Sequence, residues 1–297
     1  MDFAPIVLFT YNRLAETKKT VCALKRNYLA PKSDLYVFSD GPKNHSDKSK
    51  VISVRDYLYT IDGFNSINVF ESEVNKGLAN SIIDGVSQII IKHGKLIILE
   101  DDLITSPNFL DFMNQALNFY QNDPNILSIS GYTLDLPSLP GNKDYYFGYR
   151  ASSWGWGTWQ DRWEKVDWEV SDFKTFIRNR SLRKKFNRGG SDMTKMLQRQ
   201  QKGKIDSWAI RFCYHQFEND LRTVFSTISK IQHIGFSKDA TNAAGSKRFI
   251  TPLDDGDKRK FTFEKFESMD DNLVKEFRNK FSVKARLFDK FRKVLKI

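Results

Sequence analysis

The sequence predicts an α/β fold in which a mostly parallel sheet is flanked by helices. Over the first 130 residues, short apolar runs alternate with longer stretches of helical periodicity, which is the pattern of consecutive βαβ units. The chain has 297 residues, 40% of them hydrophobic, and is long enough to bury a substantial core. We therefore expect one large domain, with a C-terminal helical tail as an appendage.

The elements of the first half follow in order. The run PIVLFT (5–10) predicts a buried strand, LAETKKTVCALKRN (14–27) a helix, and DLYVFSD (34–40) a second strand. A third strand is predicted over 67–74. A helix is predicted over 77–94, because its apolar residues recur on one face and a glycine ends it.

The next predicted strand, KLIIL (95–99), runs directly into three acidic residues, Glu100, Asp101 and Asp102. Three adjacent carboxylates repel one another unless a cation lies among them. A helix is then predicted over 106–120, with Ser106 as its N-cap. After about residue 140 the chain becomes aromatic and glycine-rich, and then basic, with further short strands such as TVFSTIS.

The net charge of +11 fits an anionic partner, either a nucleic acid, a phospholipid surface or a phosphate-bearing substrate. Cys22 and Cys213 are the only cysteines, which excludes a disulfide framework and a cysteine metal site. No stretch approaches the ~20 apolar residues that span a bilayer, and the first apolar run is too short for a signal peptide. We expect a cytoplasmic protein, soluble or peripheral to the inner membrane face.

Polar clusters follow three of the predicted strands: TYNR (10–13), DGPK (40–43) and the acidic triplet (100–102). Ligands of open parallel sheets bind beyond the carboxyl ends of the strands, so these clusters should meet at one edge. Together they supply a carboxylate for the base or ribose, a cation for phosphate, and hard oxygen ligands for Mg²⁺ or Mn²⁺. An acidic triplet alone is more often a solvated loop; its position at a strand end favours a site.

Seven motifs carry a resemblance to a known family. They are FTYNR, SDGPK, NKGLANSIIDGV, IILEDDL, SSWGWGTW, DSWAIRF and IGFSKDATN. With these motifs in this order over residues 4–245, the sequence resembles inverting GT-A glycosyltransferases, the broad family 2 of bacterial sugar transferases, and is similar to the N-acetylglucosaminyltransferase I type.

The resemblance implies a Rossmann-like GT-A domain over 1–250, with a nucleotide-sugar-binding half (1–140) and an acceptor half (141–250). It also implies the reaction, in which a sugar passes from a UDP-sugar to a hydroxyl of a glycan or lipid-linked acceptor, with inversion. Bacterial surface polysaccharide or glycan synthesis is the implied setting. No nucleic-acid partner is expected.

The resemblance also implies donor and metal roles at the strand ends. Asp102, last of the E-D-D, would ligate Mn²⁺ or Mg²⁺, and His233 is a second candidate ligand, although a lone histidine is more often structural. Asp40 would bind the uracil or ribose, and Arg13 would lie near the nucleotide. The full set expected around the donor is Thr10, Tyr11, Arg13, Asp40, Asn75, Gly77, Ser81, Glu100 and Asp101.

Asp206 is the candidate general base, because Asp206 and Trp208 match the Asp-x-Trp of the eukaryotic relatives. The commoner use of such an aspartate is to cap the following helix. Trp154, Trp156 and Trp208 are candidates for stacking on a sugar, with burial in the core as the ordinary alternative. The segment 233–242 would cover the donor.

Two rival functions remain open at the level of sequence. A sugar nucleotidyltransferase uses a related sheet and a divalent ion, but FTYNRLAE lacks the expected glycine-rich phosphate loop. A non-enzymatic polyanion- or nucleic-acid-binding protein would explain the positive charge but not the acidic triplet, and RNA-binding signatures are not evident.

Residues 251–297 read as a polar segment that ends in a basic amphipathic helix. Within 281–297, six Lys and Arg residues oppose a single acid, Asp289. Such a helix can lie on an anionic membrane surface; the alternative is a terminal helix packed on the domain. The apolar face consists of Leu287, Phe288, Phe291, Val294 and Leu295.

Overall fold

The computed structural model of the chain describes residues 3–235 and 247–295. Within them, eight strands form one sheet in the order β3-β2-β1-β4-β8-β6-β9-β7, and β5 pairs with β10 in a separate antiparallel ribbon. The strands are β1 (Ile6–Thr10), β2 (Asp34–Ser39), β3 (Ser66–Glu71), β4 (Lys95–Glu100), β5 (Leu103–Thr105), β6 (Ile126–Ser130), β7 (Tyr145–Gly148), β8 (Trp156–Trp159), β9 (Arg222–Ser226) and β10 (Ile231–His233).

Helices cover both faces of the sheet. They are α1 (Leu14–Lys25), α2 (Lys48–Leu58), α3 (Leu78–His93), α4 (Phe109–Phe119), α5 (Gln160–Trp163), α6 (Phe173–Arg178), α7 (Arg180–Phe186), α8 (Met193–Gln201), α9 (Trp208–Glu218), α10 (Asp271–Lys280) and α11 (Val283–Leu295). No helix in the described part of the chain is long and apolar enough to cross a membrane.

The predicted α/β class with a mostly parallel sheet is confirmed. β1 pairs in parallel with β2 and with β4, and β2 pairs in parallel with β3. β8 runs antiparallel between β4 and β6, and β7 runs antiparallel at the edge beside β9. The other six strands of the sheet therefore share one direction.

Alternating side chains of the buried strands fill two separate cores. Ile6 and Leu8 of β1 join a first core under α1, α2, α4 and α10, whereas Val7 and Phe9 join a second core under α3, α8 and α9. A strand buried on both faces needs apolar residues at every position, because neighbouring side chains point to opposite faces. This explains why the strands read as continuous apolar runs.

One helix start differs from its prediction. Helix α4 begins at Phe109 with Asn108 as the N-cap residue, not at Ser106. The Ser106 hydroxyl instead donates to the Asn108 side-chain oxygen at 2.7 Å. Ser106 lies too far from the first helical turn to cap it, because two residues separate it from Phe109. The C-terminal end of α3 is as predicted. Gly94 ends the helix in the left-handed conformation, and its N–H donates to the Ile90 carbonyl at 2.7 Å.

The segment after residue 250 packs against the first core. Leu273 and Phe277 of α10 are 3% and 7% exposed, and three partly buried phenylalanines precede them: Phe261, Phe263 and Phe266. Lys230 and Asp254 form a buried ion pair that ties this segment to the turn between β9 and β10. Aromatic residues in a polar stretch thus supply part of the first core, and the boundary at 250 stays a prediction.

Candidate functional site

The carboxyl ends of β1, β2 and β4 lie side by side, as the parallel pairing requires. Thr10 is in register with Ser39 of β2, and Phe9 is in register with Glu100 of β4. The residues that follow these three strands therefore meet at one edge of the sheet. Thr10 itself is buried, and its hydroxyl donates to the Phe38 carbonyl at 3.3 Å, so it joins two strands.

Arg13 is the cation that lies among the acidic residues. Its guanidinium donates to Asp102 Oδ2 at 2.8 Å and pairs at close range with Asp101 Oδ1. Both aspartates are buried, at 3% and 5% exposure. A planar guanidinium can bridge two carboxylates in this way, whereas a lysine presents a point charge. The repulsion expected from the sequence is thus relieved by a residue of the β1–α1 loop.

The backbone of the acidic residues is held from both sides. The Thr20 hydroxyl of α1 donates to the Asp101 carbonyl at 2.9 Å and accepts from Leu103 N–H at 3.1 Å. On the other side, Ile234 N–H donates to the Asp102 carbonyl at 2.9 Å. A Cβ at Gly235 would lie 2.1 Å from Asp102 Oδ2, so only glycine fits beside the carboxylate.

His233 and Trp154 complete this side of the site. His233 Nε2 lies 3.3 Å from Asp102 Oδ2, and its ring stacks on the Trp154 indole with centroids 4.5 Å apart. Trp154 also contacts Tyr132 edge to face. Of the three tryptophans predicted at the site, Trp154 is therefore the one beside the acidic residues. The part of the predicted covering segment from residue 236 to 242 lies outside the described residues.

The electrostatics differ among the three acidic residues. Burial, with Asp102 and Asp101 nearby, raises the pKa of Glu100 to about 8. Burial also raises the pKa of Asp101 to about 6, although Arg13 acts in the opposite direction. Burial opposes ionisation of Asp102 too, but His233 and Arg13 outweigh it and lower the pKa of this carboxyl. Of the three carboxyls, Asp102 therefore ionises most readily and Glu100 least.

Asp102 and His233 fit a divalent cation that takes its other ligands from a substrate. Asp102 Oδ1 is buried and accepts no hydrogen bond from any described residue. Carboxylate oxygen with imidazole nitrogen suits Mn²⁺, and Mg²⁺ commonly uses one or two carboxylates together with phosphates and water. The described part of the chain holds no group of three or more acidic, histidine or cysteine ligands, so a purely protein-made metal cage is absent there.

The Asp40 carboxylate accepts four hydrogen bonds from within the protein. Its Oδ1 accepts from the N–H groups of Gly41 and Lys76, both at 2.9 Å. Its Oδ2 accepts from the Asn75 amide at 2.9 Å and from Gly77 N–H at 3.1 Å. A carboxylate has about four acceptor positions, and all are used here. Asp40 therefore anchors the 75–77 turn together with Asn75, and its contact with a uracil or ribose stays a prediction.

Two positioning residues were missed by sequence reasoning. Arg55 of α2 donates to the Ser72 carbonyl at 2.7 Å and to the Ser39 hydroxyl at 3.2 Å, so it joins the ends of β2 and β3. Asp47 accepts from the Tyr11 hydroxyl at 2.9 Å and from the Asn12 amide at 3.0 Å. No motif marks either residue, because their partners are distant loop atoms.

Asp206 lies just before α9 in the chain, and its side chain contacts the start of α3. Its Oδ2 accepts from Ala79 N–H at 3.2 Å, and a Cβ at Gly77 would lie 3.0 Å from it. The N-cap of α9 is Ser207, whose hydroxyl accepts from Ile210 N–H, so the alternative that Asp206 caps α9 is wrong. Asp206 is exposed, and Ser81 lies in the same first turn of α3.

Trp156 and Trp208 are in the second core and are not at a surface. They are 1% and 2% exposed and stack on each other with ring centroids 4.6 Å apart. The sugar-stacking role predicted for them is corrected to core packing. Glycines between indoles allow close approach to any flat partner, and here the partner of Trp156 is another indole.

No family model matches the chain, and no curated protein matches it. Solved structures similar to it include S. aureus TarS, with 11% identity and a TM-score of 0.40 over 57% of this chain and 30% of that chain. Another is the mannosyltransferase PcManGT from Pyrobaculum calidifontis in complex with GDP-Man and Mn²⁺, with 10% identity and a TM-score of 0.43. That similarity covers 73% of this chain and 72% of the mannosyltransferase. The chain thus spans less than a third of TarS.

Proposed function

We propose that this protein is a metal-dependent inverting glycosyltransferase of the GT-A type, similar to the N-acetylglucosaminyltransferase I type. It transfers a sugar from a UDP-sugar to a hydroxyl of a glycan or lipid-linked acceptor, in bacterial surface glycan synthesis. The observation that supports this most strongly is the cluster of Arg13, Asp101, Asp102 and His233 at the carboxyl edge of a parallel sheet. Ligands of such sheets bind at this edge.

Each residue of the cluster has its own role in donor binding. Asp102 and His233 would hold Mn²⁺ or Mg²⁺, which when bound supplies positive charge to the diphosphate leaving group. Arg13, which lies beside these carboxylates, would supply further positive charge to the phosphates. Glu100 and Asp101 face the ribose and donor sugar, with Tyr11, Gly77 and Ser81 around them. Trp154, stacked on His233, would border the donor sugar.

Asp206 is the proposed general base. It is an exposed carboxylate held at the N-terminus of α3 by a single backbone hydrogen bond, so it keeps acceptor positions for an incoming hydroxyl. Removing the proton from that hydroxyl would allow a single in-line displacement, which inverts the anomeric carbon. A cytoplasmic location fits the two free cysteines, Cys22 and Cys213.

An assay with three arms tests the proposal against its rivals. We would measure UDP release from UDP-sugars with Mn²⁺, pyrophosphate release from UTP with sugar phosphates, and salt-sensitive nucleic-acid binding. UDP release with an added acceptor is the expected result. Pyrophosphate release without UDP release would contradict the proposal in favour of a nucleotidyltransferase. Nucleic-acid binding alone would favour a binding protein.

The donor can be identified by thermal stabilisation. A ligand that binds only the folded state adds about 2.7 kcal/mol of stability when present at 100 times its Kd. Nucleotide-sugars screened with and without Mn²⁺ should therefore yield one donor that raises Tm only when the metal is present. An equal shift without metal would contradict metal dependence.

A further inference from the structure

Helix α11 turns its apolar side chains away from the domain. Four of them form what we name the apolar stripe: Val283, Leu287, Phe288 and Phe291, at 56%, 60%, 60% and 64% exposure. With about 3.6 residues per turn, these four positions lie on one side of the helix. A terminal helix that packs on a domain buries its apolar side, and α11 does the opposite.

Polar contacts hold the other side of α11 to the domain. Asp289 is 8% exposed and pairs with Arg248 at 3.3 Å. The Ser282 hydroxyl accepts from Ala285 N–H at 3.1 Å at the start of the helix. A cavity of about 510 Å³ lies under the helix, and its lining includes five charged residues: Asp135, Arg248, Glu276, Lys280 and Asp289. Phe288, at the edge of the stripe, also borders this cavity, whereas Val283, Leu287 and Phe291 remain largely exposed.

The surroundings of the stripe are basic. Residues 281–297 contain six Lys and Arg against one acid, Asp289, which Arg248 already engages. A second basic segment, 171–204, carries eleven Lys and Arg against two acids. Both acids are occupied, since Asp172 accepts from the Tyr214 hydroxyl and Asp192 pairs with Arg150.

The two basic segments are in contact. The Ser191 hydroxyl donates to the Phe281 carbonyl at 2.9 Å, and the Arg150 guanidinium lies 4.0 Å from the centre of the Phe281 ring. The start of α11 is thus fixed against the turn that begins α8. Positive charge is therefore concentrated in two adjoining parts of one molecule, next to an exposed apolar helix face.

We propose that α11 binds the surface of an anionic lipid bilayer, with the apolar stripe among the acyl chains near the headgroups and the basic side chains against lipid phosphates. At such a surface the apolar stripe is buried and the basic side chains meet anionic phosphates, and interfacial helices gain affinity from both effects. A nucleic acid would satisfy the charges and leave the stripe in water. A second copy would cover the stripe but bring like charges together.

Vesicle sedimentation of the full chain tests this proposal. The wild-type protein should sediment with phosphatidylcholine vesicles that contain phosphatidylglycerol, not with phosphatidylcholine alone, and high salt should weaken the binding. Leu287→Ser with Phe291→Ser should reduce partitioning at least about tenfold, because burial of two large apolar side chains is lost. The matched control is Ile91→Ser on α3, another apolar residue with 62% exposure, which should bind as wild type.

A fluorescent label gives a second, independent readout. Phe291→Cys in a Cys22→Ser background allows one label on the stripe, because Cys213 is buried. Its emission should shift to the blue with anionic vesicles, whereas a label on the native, exposed Cys22 should not. Equal sedimentation of the Leu287→Ser/Phe291→Ser variant overturns the proposal. Self-association without lipid binding, lost in that variant, also overturns it and assigns the stripe to a second copy.

Discussion

Arg13 holds together two buried aspartates that would otherwise repel each other. Its bridge to Asp101 and Asp102 supplies inside the protein the positive charge that a metal ion would bring. Buried carboxylates without such a partner become protonated instead. The arrangement keeps Asp102 charged and leaves its Oδ1 facing no described donor, which is the state a metal ligand needs.

Asp102→Ala should abolish Mn²⁺-dependent UDP binding, because the carboxylate of the site that ionises most readily is lost. The protein without metal should lose about 1–3 kcal/mol of stability, since Arg13 loses one charged partner and keeps Asp101. Titration calorimetry and thermal unfolding measure the two effects. The control is Asp62→Ala, an exposed aspartate paired with Lys25 far from the site in sequence. Unchanged UDP affinity in Asp102→Ala would refute the metal assignment.

Asp206→Asn should lower turnover by roughly 10² to 10⁴-fold, the usual contribution of a general base. The fold should persist, because an asparagine oxygen can still accept from Ala79 N–H, and donor affinity should hardly change. Initial rates measure turnover, and titration calorimetry measures donor affinity. Asp84→Asn, an exposed residue of α3 paired with Lys76, serves as the matched control. A rate near wild type would leave Asp206 only its structural role at α3.

The sequence located the edge of the sheet where these residues meet, because buried strands and the polar clusters after them have a clear pattern. It did not reveal which groups the Asp40 carboxylate contacts, since all of them other than Gly41 N–H come from a turn 35 or more residues away. Nor could it show that Trp154 lies beside the acidic residues whereas Trp156 is buried in the second core. The two indoles stand in the same glycine-rich motif, and only the placement of β8 buries one of them.

At the scale of elements, the polar segment after β10 is fastened by one buried ion pair. Asp254 accepts from Asn108 Nδ2 at 3.1 Å and from Gly256 N–H at 2.7 Å, and it pairs with Lys230. Burial opposes ionisation of Asp254, yet Lys230 and these hydrogen bonds lower the pKa of Asp254 overall. Its stabilising contribution is therefore present above the ordinary pKa of an aspartate and is lost as the pH falls through the lowered value.

Lys230→Met should destabilise the protein by about 3–5 kcal/mol, because it leaves Asp254 charged and buried without its partner. Adding Asp254→Asn should recover much of that loss, since no buried charge remains. Denaturant unfolding at neutral pH measures both. In acid, the wild type should lose stability more steeply than Asp254→Asn, since only the wild type has this carboxylate to protonate. If the free energy of unfolding falls equally with pH in the two proteins, the ion pair does not contribute as proposed.

At the scale of the whole molecule, one sheet separates two cores, and the C-terminal third of the chain contributes to both. Residues 251–281 complete the first core, and α8 and α9 complete the second. The sequence predicts the end of the domain at 250 because the chain becomes polar and charged there. Yet Phe261, Phe263 and Phe266 pack on the core without periodicity, because they belong to an extended segment and not to a helix or strand.

Two truncations distinguish the part of the C-terminus that belongs to the core from the part that does not. A chain that ends at Ser282 lacks α11 alone and should keep a cooperative unfolding transition within a few degrees of wild type, because the stripe is exposed. A chain that ends at Ile250 loses Leu273, Phe277 and three partly buried phenylalanines. Fully burying one such side chain is worth about 1.5–3 kcal/mol, so their sum approaches the ~5–15 kcal/mol that stabilises a whole domain. We therefore expect that chain to lose its calorimetric transition. A cooperative transition in it would support the domain boundary at 250.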